Sequence, residues 1–236
     1  MKVGIMQPYF LPYLGYWQLM NAVDTYVIYD NIEFTKNSWI RRNRILSSGT
    51  DKMFSLPLKK DSDYLDVRDR YLAETYDSER KKIVNLIANS YKKAPMFETV
   101  FPIIKDIIEY PDQNLFSYIY YSVERIREYL GIRSNLVVSS TINIDWDLKG
   151  KDKVLAICKY FGADEYYNSI NGVPLYEPFR GEFEAAGIEL CFPKMRDIAY
   201  PQFKNEFVPY LSIIDVMMFN SQERCKELLH EYDLLK

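Results

Sequence analysis

Between positions 36 and 44 the chain places one lysine and three arginines (Lys36, Arg41, Arg42, Arg44), with Trp39 and Asn43 among them. Guanidinium forks match phosphate oxygens in bidentate fashion, so two arginines on one face make a diphosphate clamp. In a strand from Trp39 to Leu46, Arg42 and Arg44 project to the same side, about 7 Å apart at a rise near 3.3 Å per residue. The bland alternative is a solvated hairpin face. A second stretch, Gln7-Pro8-Tyr9-Phe10-Leu11-Pro12-Tyr13-Leu14-Gly15-Tyr16-Trp17, packs two prolines and a run of aromatic residues between a strand end and a helix start. A helix start offers unpaired N–H groups and a positive dipole end, both suited to phosphate. Gln7, Tyr9, Tyr13, Gly15 and Tyr16 are its candidate ligands; an aromatic turn that merely packs the sheet end is the alternative. Asp30 and Asp215 are the candidate bases. Asp215 stands in the apolar run Ile213-Ile214-Asp215-Val216-Met217-Met218, where an unpaired carboxylate is costly and its pKa rises. Either aspartate also suits a structural cap. Asn168 and Ser169, followed by Asn171-Gly172, come after another strand and suit sugar hydroxyls or phosphate, as an ordinary turn also would.

Composition narrows the chemistry. The 236 residues carry 30 Lys+Arg against 33 Asp+Glu, a net charge of −3, which argues against general nucleic-acid binding. Hydrophobic residues make up 48 %, enough for a full core and too many for a disordered chain. No apolar run reaches the roughly 18 residues of a membrane span, and the start turns polar and proline-rich too soon for a signal peptide. A cytoplasmic protein is expected. Cys158, Cys191 and Cys225 are odd in number and widely spaced, which excludes a complete disulfide framework and a CxxC metal knuckle. The single histidine, His230, excludes a zinc site built on two or three histidines, and no metal is expected. His230 lies at the end of an amphipathic pattern far from every motif. We therefore expect His230→Ala to keep nearly full turnover; a loss beyond about a hundredfold, roughly 2.7 kcal/mol of barrier, with an unchanged Tm would make it catalytic.

These residues need elements to hold them. Val3 to Gln7 reads as a buried strand, Tyr13 to Val23 as a helix and Asp24 to Tyr29 as a strand, a βαβ opening that implies a parallel sheet. Trp39 to Leu46 and Lys52 to Leu58 read as a hairpin around Ser47-Ser48-Gly49-Thr50-Asp51. Three helices follow, one capped by Ser78, one over Val100 to Tyr110 and one capped by Asp112 and ended by Gly131. Leu136 to Ser139, Ala163 to Asn168 and Ile188 to Phe192 read as further strands. Helices end at Gly162 and Gly187, the second running over Leu175 to Ala186, and two more close the chain near Ile213 to Phe219 and Gln222 to Tyr232. The fold expected is a single α/β domain over residues 1–236, a mostly parallel doubly wound, Rossmann-like sheet with a hairpin and helical insertion at about 32–130. In such sheets ligands bind beyond the carboxyl ends of the strands.

Two resemblances bear on function. The strand–loop–helix around Tyr13-Leu14-Gly15-Tyr16 is similar to that of nucleotidyltransferases with an HxGH signature, which leaves a nucleotidyltransferase-like sheet open, although both histidines are missing. Over nearly the whole chain, Gln7-Pro8-Tyr9-Phe10-x-Pro12-Tyr13-x-Gly15-Tyr16, Val23-Asp24-x-x-Val27-Ile28-Tyr29-Asp30 and Trp39-Ile40-x-Arg42-Asn43-Arg44 resemble the WbqC-like protein family. Gly162-Ala163-Asp164-x-Tyr166-Tyr167-Asn168-Ser169, Tyr200-Pro201-Gln202-Phe203 and Leu211 to Asn220 follow in the expected order. The resemblance implies a role in bacterial surface polysaccharide (O-antigen) synthesis: N-acyl transfer, aminoacyl and typically glycyl, onto the amine of a nucleotide-diphospho amino-dideoxy sugar such as a dTDP-sugar. The donor stays open between an aminoacyl carrier protein, an aminoacyl-tRNA and an acyl-adenylate made from ATP. No cofactor is required except ATP and Mg²⁺ in that last case, an amide ligase. A non-catalytic sugar-nucleotide binding or scaffold protein is the remaining alternative.

Overall fold

Apolar runs of four or five residues, bounded by turn residues, become the central strands. The computed structural model describes residues 1–62, 64–204 and 206–236. β1 (Lys2–Met6), α1 (Leu14–Asn21) and β2 (Thr25–Ile28) open the chain, the two strands pairing in parallel from Val3↔Thr25 to Met6↔Ile28. β3 (Arg42–Ser47) and β4 (Thr50–Ser55) form a separate antiparallel hairpin. α2 (Tyr76–Tyr91), α3 (Phe97–Ile108) and α4 (Leu115–Leu130) lead to β5 (Asn135–Val138), then α5 (Gly150–Phe161) and β6 (Glu165–Tyr167). α6 (Val173–Tyr176), α7 (Arg180–Ala185), β7 (Glu189–Met195), α8 (Ile213–Phe219), α9 (Gln222–Leu228) and β8 (Tyr232–Leu235) complete it.

The main sheet has six strands in the order β5-β2-β1-β6-β7-β8, parallel except for β7 against β8. The side-chain period of two sorts its residues between two layers. Val3, Ile5, Val27, Tyr166, Leu190 and Phe192 pack on one face with α5 and the Phe183 of α7. Tyr26, Ile28, Tyr167 and Cys191 pack on the other with Trp17 of α1 and the helices α3, α4 and α8. Both faces are covered, as a parallel sheet requires, and the doubly wound α/β expectation holds. Among the described residues no helix is long and apolar enough to cross a membrane.

The differences from the sequence expectations have local causes. The hairpin turn is two residues, with Ser47 paired to Thr50 and both Ser48 (φ 52°) and Gly49 (φ 81°) left-handed; such a turn matches the strand twist better than the five-residue loop. Trp39 and Ile40 precede β3 instead of belonging to it. Asn114, not Asp112, caps α4, its Oδ1 accepting from the Ser117 N–H at 3.0 Å. α2 begins at Tyr76, before Ser78. The helix expected over Leu175 to Ala186 is broken into α6 and α7 around Pro178, which has no N–H to donate back along a helix. The last helix stops at Leu228, and Tyr232–Leu235 pairs with β7 as an edge strand. Gly131 (φ 70°) and Gly162 (φ 64°) terminate α4 and α5 as expected.

Candidate functional site

The chain winds from β1 outward through β2 to β5, then returns to the other side of β1 with β6 and β7. The strand order reverses at β1/β6, and a crevice opens there beyond the carboxyl ends. A cavity of about 450 Å³ occupies that crevice, lined by Tyr9, Tyr13, Gly15 and Tyr16 after β1, by Trp39, Asn43 and Arg44, by Ser169 and Asn171 after β6, and by Tyr210.

The loop after β1 is held from three directions. Leu11 is left-handed (φ 47°), a rare state for a branched side chain, and it turns its carbonyl outward to accept from the Asn43 Nδ2 at 2.7 Å and the Ser212 Oγ at 2.7 Å. Asn43 also donates to the Phe10 carbonyl (3.1 Å), and its Oδ1 accepts from the Arg44 N–H. Both Asn43 donors are thereby used, so it fixes the hairpin to the loop while lining the cavity. Pro12 accepts from the Trp17 indole and from the Ile213 N–H. Backbone strain collected at one place marks sites that the surroundings over-determine.

Rings form the walls. Tyr9 and Tyr16 pack with centroids 5.8 Å apart, the Tyr9 hydroxyl donates to the Gln7 Oε1 (3.2 Å), and that of Tyr16 donates to the Gln7 carbonyl (3.2 Å). Burial raises the pKa of Tyr9, Tyr13 and Tyr16, so these hydroxyls are donors at neutral pH. A Cβ on Gly15 would sit 2.7 Å from the Tyr13 ring and hydroxyl. Glycine there lets Tyr13 fold back over the first turn of α1, so the expected open helix start is roofed by a phenol. Gly15→Ala should displace that ring. We expect it to weaken ligand binding about tenfold, near 1.4 kcal/mol, with Tm nearly unchanged because alanine gains about 1 kcal/mol of helix propensity. Calorimetry beside a melting curve checks both halves.

The Arg44 guanidinium stands 5.5 Å from the Trp39 ring centroid and that of Arg42 5.7 Å from it. Arg44 makes only long contacts, 3.3 Å to Asp51 and 3.4 Å to the Tyr210 carbonyl, and its Nε is buried without a partner among the described residues. It holds unused donor capacity at the cavity wall. Arg42 shares its face of β3 but bonds to the Asn37 carbonyl and does not line the cavity. Lys36 is exposed on the preceding loop, outside the lining. Asn168 sits one residue behind, donating to the Tyr166 hydroxyl at 2.6 Å; a Cβ on Gly172 would run into its carboxamide. Asn168 therefore shapes the loop that presents Ser169 and Asn171.

The two aspartates lie elsewhere. Asp30 is buried at the end of β2, its carboxylate accepting from the Ser139 Oγ (2.8 Å), the Ser140 N–H (2.9 Å) and the Ser140 Oγ (2.6 Å). Asp215, fully buried on α8, accepts from the hydroxyls of Tyr200 (2.8 Å) and Tyr91 (2.8 Å) and from the Gln202 Nε2 (2.7 Å). Burial raises its pKa, and the three donors oppose that rise. Neither carboxylate lines the cavity. Tyr210, left-handed at φ 56°, was not singled out by sequence; nothing in its local pattern signals a position that rests on Arg44 and Tyr13. A group of potential metal ligands, Glu165, Glu189 and Cys191, lies on β6 and β7. Its members are engaged with Tyr167 and Lys236, and burial pushes the Cys191 thiol up to about 12.

A second cavity of about 310 Å³ adjoins the first and shares Tyr13 and Tyr210 with it. Those rings meet edge-on, with centroids 6.3 Å apart. Leu14, Met195 to Tyr200, Phe207, Pro209, Leu211 and Val216 supply the rest of its wall.

Comparison with known proteins agrees with the motif pattern. Uncharacterized protein Rv1507c of Mycobacterium tuberculosis (strain ATCC 25618 / H37Rv) is similar, 28 % identical over 230 residues and covering 93 % of each chain. No solved structure is a significant match. The model of the WbqC-like protein family matches residues 7–227, a span that holds every residue lining the two cavities except Met6. The chain belongs to the WbqC-like protein family.

Proposed function

We propose that the protein is an N-acyltransferase acting on the amine of a nucleotide-diphospho amino sugar. One observation carries the binding half of this reading: a cavity at the switch point of the sheet, walled by Tyr9, Tyr13, Tyr16, Trp39 and Tyr210, with the underused Arg44 guanidinium at its edge. Aromatic walls take a base or sugar ring, and a guanidinium fork takes a diphosphate. Ser169 and Asn171 on the opposite side offer hydroxyl and amide groups to the sugar. The acyl-transfer half rests on the implication of the family resemblance.

The chemistry asks little of the protein beyond placement. The sugar amine attacks the acyl carbon of a thioester or ester; the C–N bond forms, the bond to sulfur or oxygen breaks, and the proton shed by nitrogen leaves with the donor's thiol or hydroxyl. A negative oxygen develops on the way, and preorganised donors lower its energy. The protonated Tyr13 hydroxyl, between the two cavities, suits that task. Incubation with dTDP-amino sugar and a glycyl thioester or glycyl-tRNA should yield the amide. Pyrophosphate release dependent on ATP and free glycine would make the protein a ligase instead. Tight sugar-nucleotide binding without product from any donor would make it a binding protein.

A further inference from the structure

The second cavity differs in chemistry from the first. Leu14, Ile198, Phe207, Pro209, Leu211 and Val216 line it, and tyrosines supply its only hydroxyls. One of these, on Tyr200, is already committed to Asp215. Such a wall disfavours a sugar or a phosphate, whose polar groups would lose water without gaining partners. Its mouth carries two charges, Arg196 and Asp197. The Arg196 Nε is paired with Asp233 at 2.8 Å, whereas Asp197 has no hydrogen bond or ion pair among the described residues. The mouth thus presents a free carboxylate, which attracts an organic cation and repels an anion. An apolar chamber with an acidic rim is complementary to a ligand that joins an ammonium to a hydrocarbon group.

We infer that this cavity is the compartment for the acyl group of the donor, and that it takes an aminoacyl group with an apolar side chain, its ammonium facing Asp197. The inference rests on the acyl-transfer reading and sharpens it. Glycyl would leave most of the apolar wall untouched, whereas a valyl- or leucyl-sized side chain would cover it. Tyr13 and Tyr210 form the partition, so ligands in the two chambers lie on opposite sides of a pair of rings. Tyr210 is 61 % exposed and left-handed, and it holds its place through the edge-on contact with Tyr13 and the long bond from Arg44. Displacement of that ring would join the chambers and bring a carbonyl in one to an amine in the other.

The test titrates the full-length protein, with and without saturating dTDP, with L-leucinamide, glycinamide and N-acetyl-L-leucinamide, followed by NMR. L-leucinamide should bind alongside dTDP, at least tenfold more tightly than glycinamide or the uncharged N-acetyl compound. Asp197→Asn should weaken leucinamide severalfold and leave dTDP affinity unchanged. Ala199→Trp, at an exposed lining position that folding tolerates, should block leucinamide alone. Competition between leucinamide and dTDP, equal affinity for the three amides, indifference to both variants, or no binding of leucinamide would each overturn the inference. Failure of dTDP-sugar to bind the first cavity would overturn the sugar-nucleotide reading instead, and leucinamide binding is scored independently of it.

Discussion

Asp215→Ala is expected to lower stability by about 3–5 kcal/mol, because each buried donor left without an acceptor costs about 1–3 kcal/mol. The substitution strips the acceptor from the hydroxyls of Tyr91 and Tyr200 and from the Gln202 amide at once. At about 2–4 °C per kcal/mol for a chain of this length, Tm should fall by roughly 10 °C. Asp215→Asn should cost less: its oxygen can still serve Tyr200 and Gln202, and only the Tyr91 proton loses its acceptor. The pH dependence has a defined sign. A carboxylate whose pKa is raised on folding binds its proton more tightly in the folded state. Its contribution to stability is complete below the ordinary carboxylate value near 4 and is lost as pH rises through the raised value. The parent should therefore lose Tm relative to Asp215→Asn as pH rises from about 4. Equal melting of Asp215→Ala and the parent would remove Asp215 from the framework, and an activity loss without a Tm loss would restore it as a base.

Arg44→Ala should weaken binding of the sugar nucleotide by about 1.5–3 kcal/mol, the range for hydrogen bonds to charged groups. Arg44 has a buried Nε with no partner and two long contacts, so its donors are available to a ligand at little expense to the fold. Arg44→Lys should restore the charge and only part of the affinity, since the fork and the stacking on Trp39 are both lost. Tm should change by little, because the Asp51 pair is partly exposed and such pairs contribute at most about 1 kcal/mol. Arg42→Ala is the internal control: its guanidinium is tied to Asn37 and stands off the lining, so the loss should be smaller. If Arg44→Ala and Arg44→Lys bind dTDP-sugar as the parent does, the arginine face is a solvated one.

What the sequence disclosed follows from range. The βαβ opening, the hairpin and the ends at Gly131 and Gly162 are written in neighbouring residues: periodicity, turn residues and left-handed glycines. The first cavity was half legible for the same reason, since the rule that ligands gather beyond strand ends pointed to Tyr9–Tyr16 and to Ser169. Asn43 and Trp39 were found by proximity to the arginines, although Asn43 turned out to anchor the loop. The rest depends on distant partners. Tyr210 takes its place from Tyr13 and Arg44, and Leu11 needs Asn43 and Ser212 to hold its left-handed backbone. β8 has four residues and is a strand only because β7 lies beside it. Lys36 looked equivalent to its basic neighbours in sequence, yet lies on an exposed loop outside the cavity.

The position of β1 has a consequence for biogenesis. One edge of this strand pairs with the nearby β2, but the other, beginning at Lys2, waits for Glu165. During translation the middle of the sheet is therefore made early and closed late, with Val3 and Ile5 uncovered until α5 and α7 arrive. Long-range parallel pairing of this kind slows folding, and an open apolar edge invites association between nascent chains. The ribosome-bound intermediate, with half a sheet and no crevice, is where chaperone dependence of this protein should concentrate.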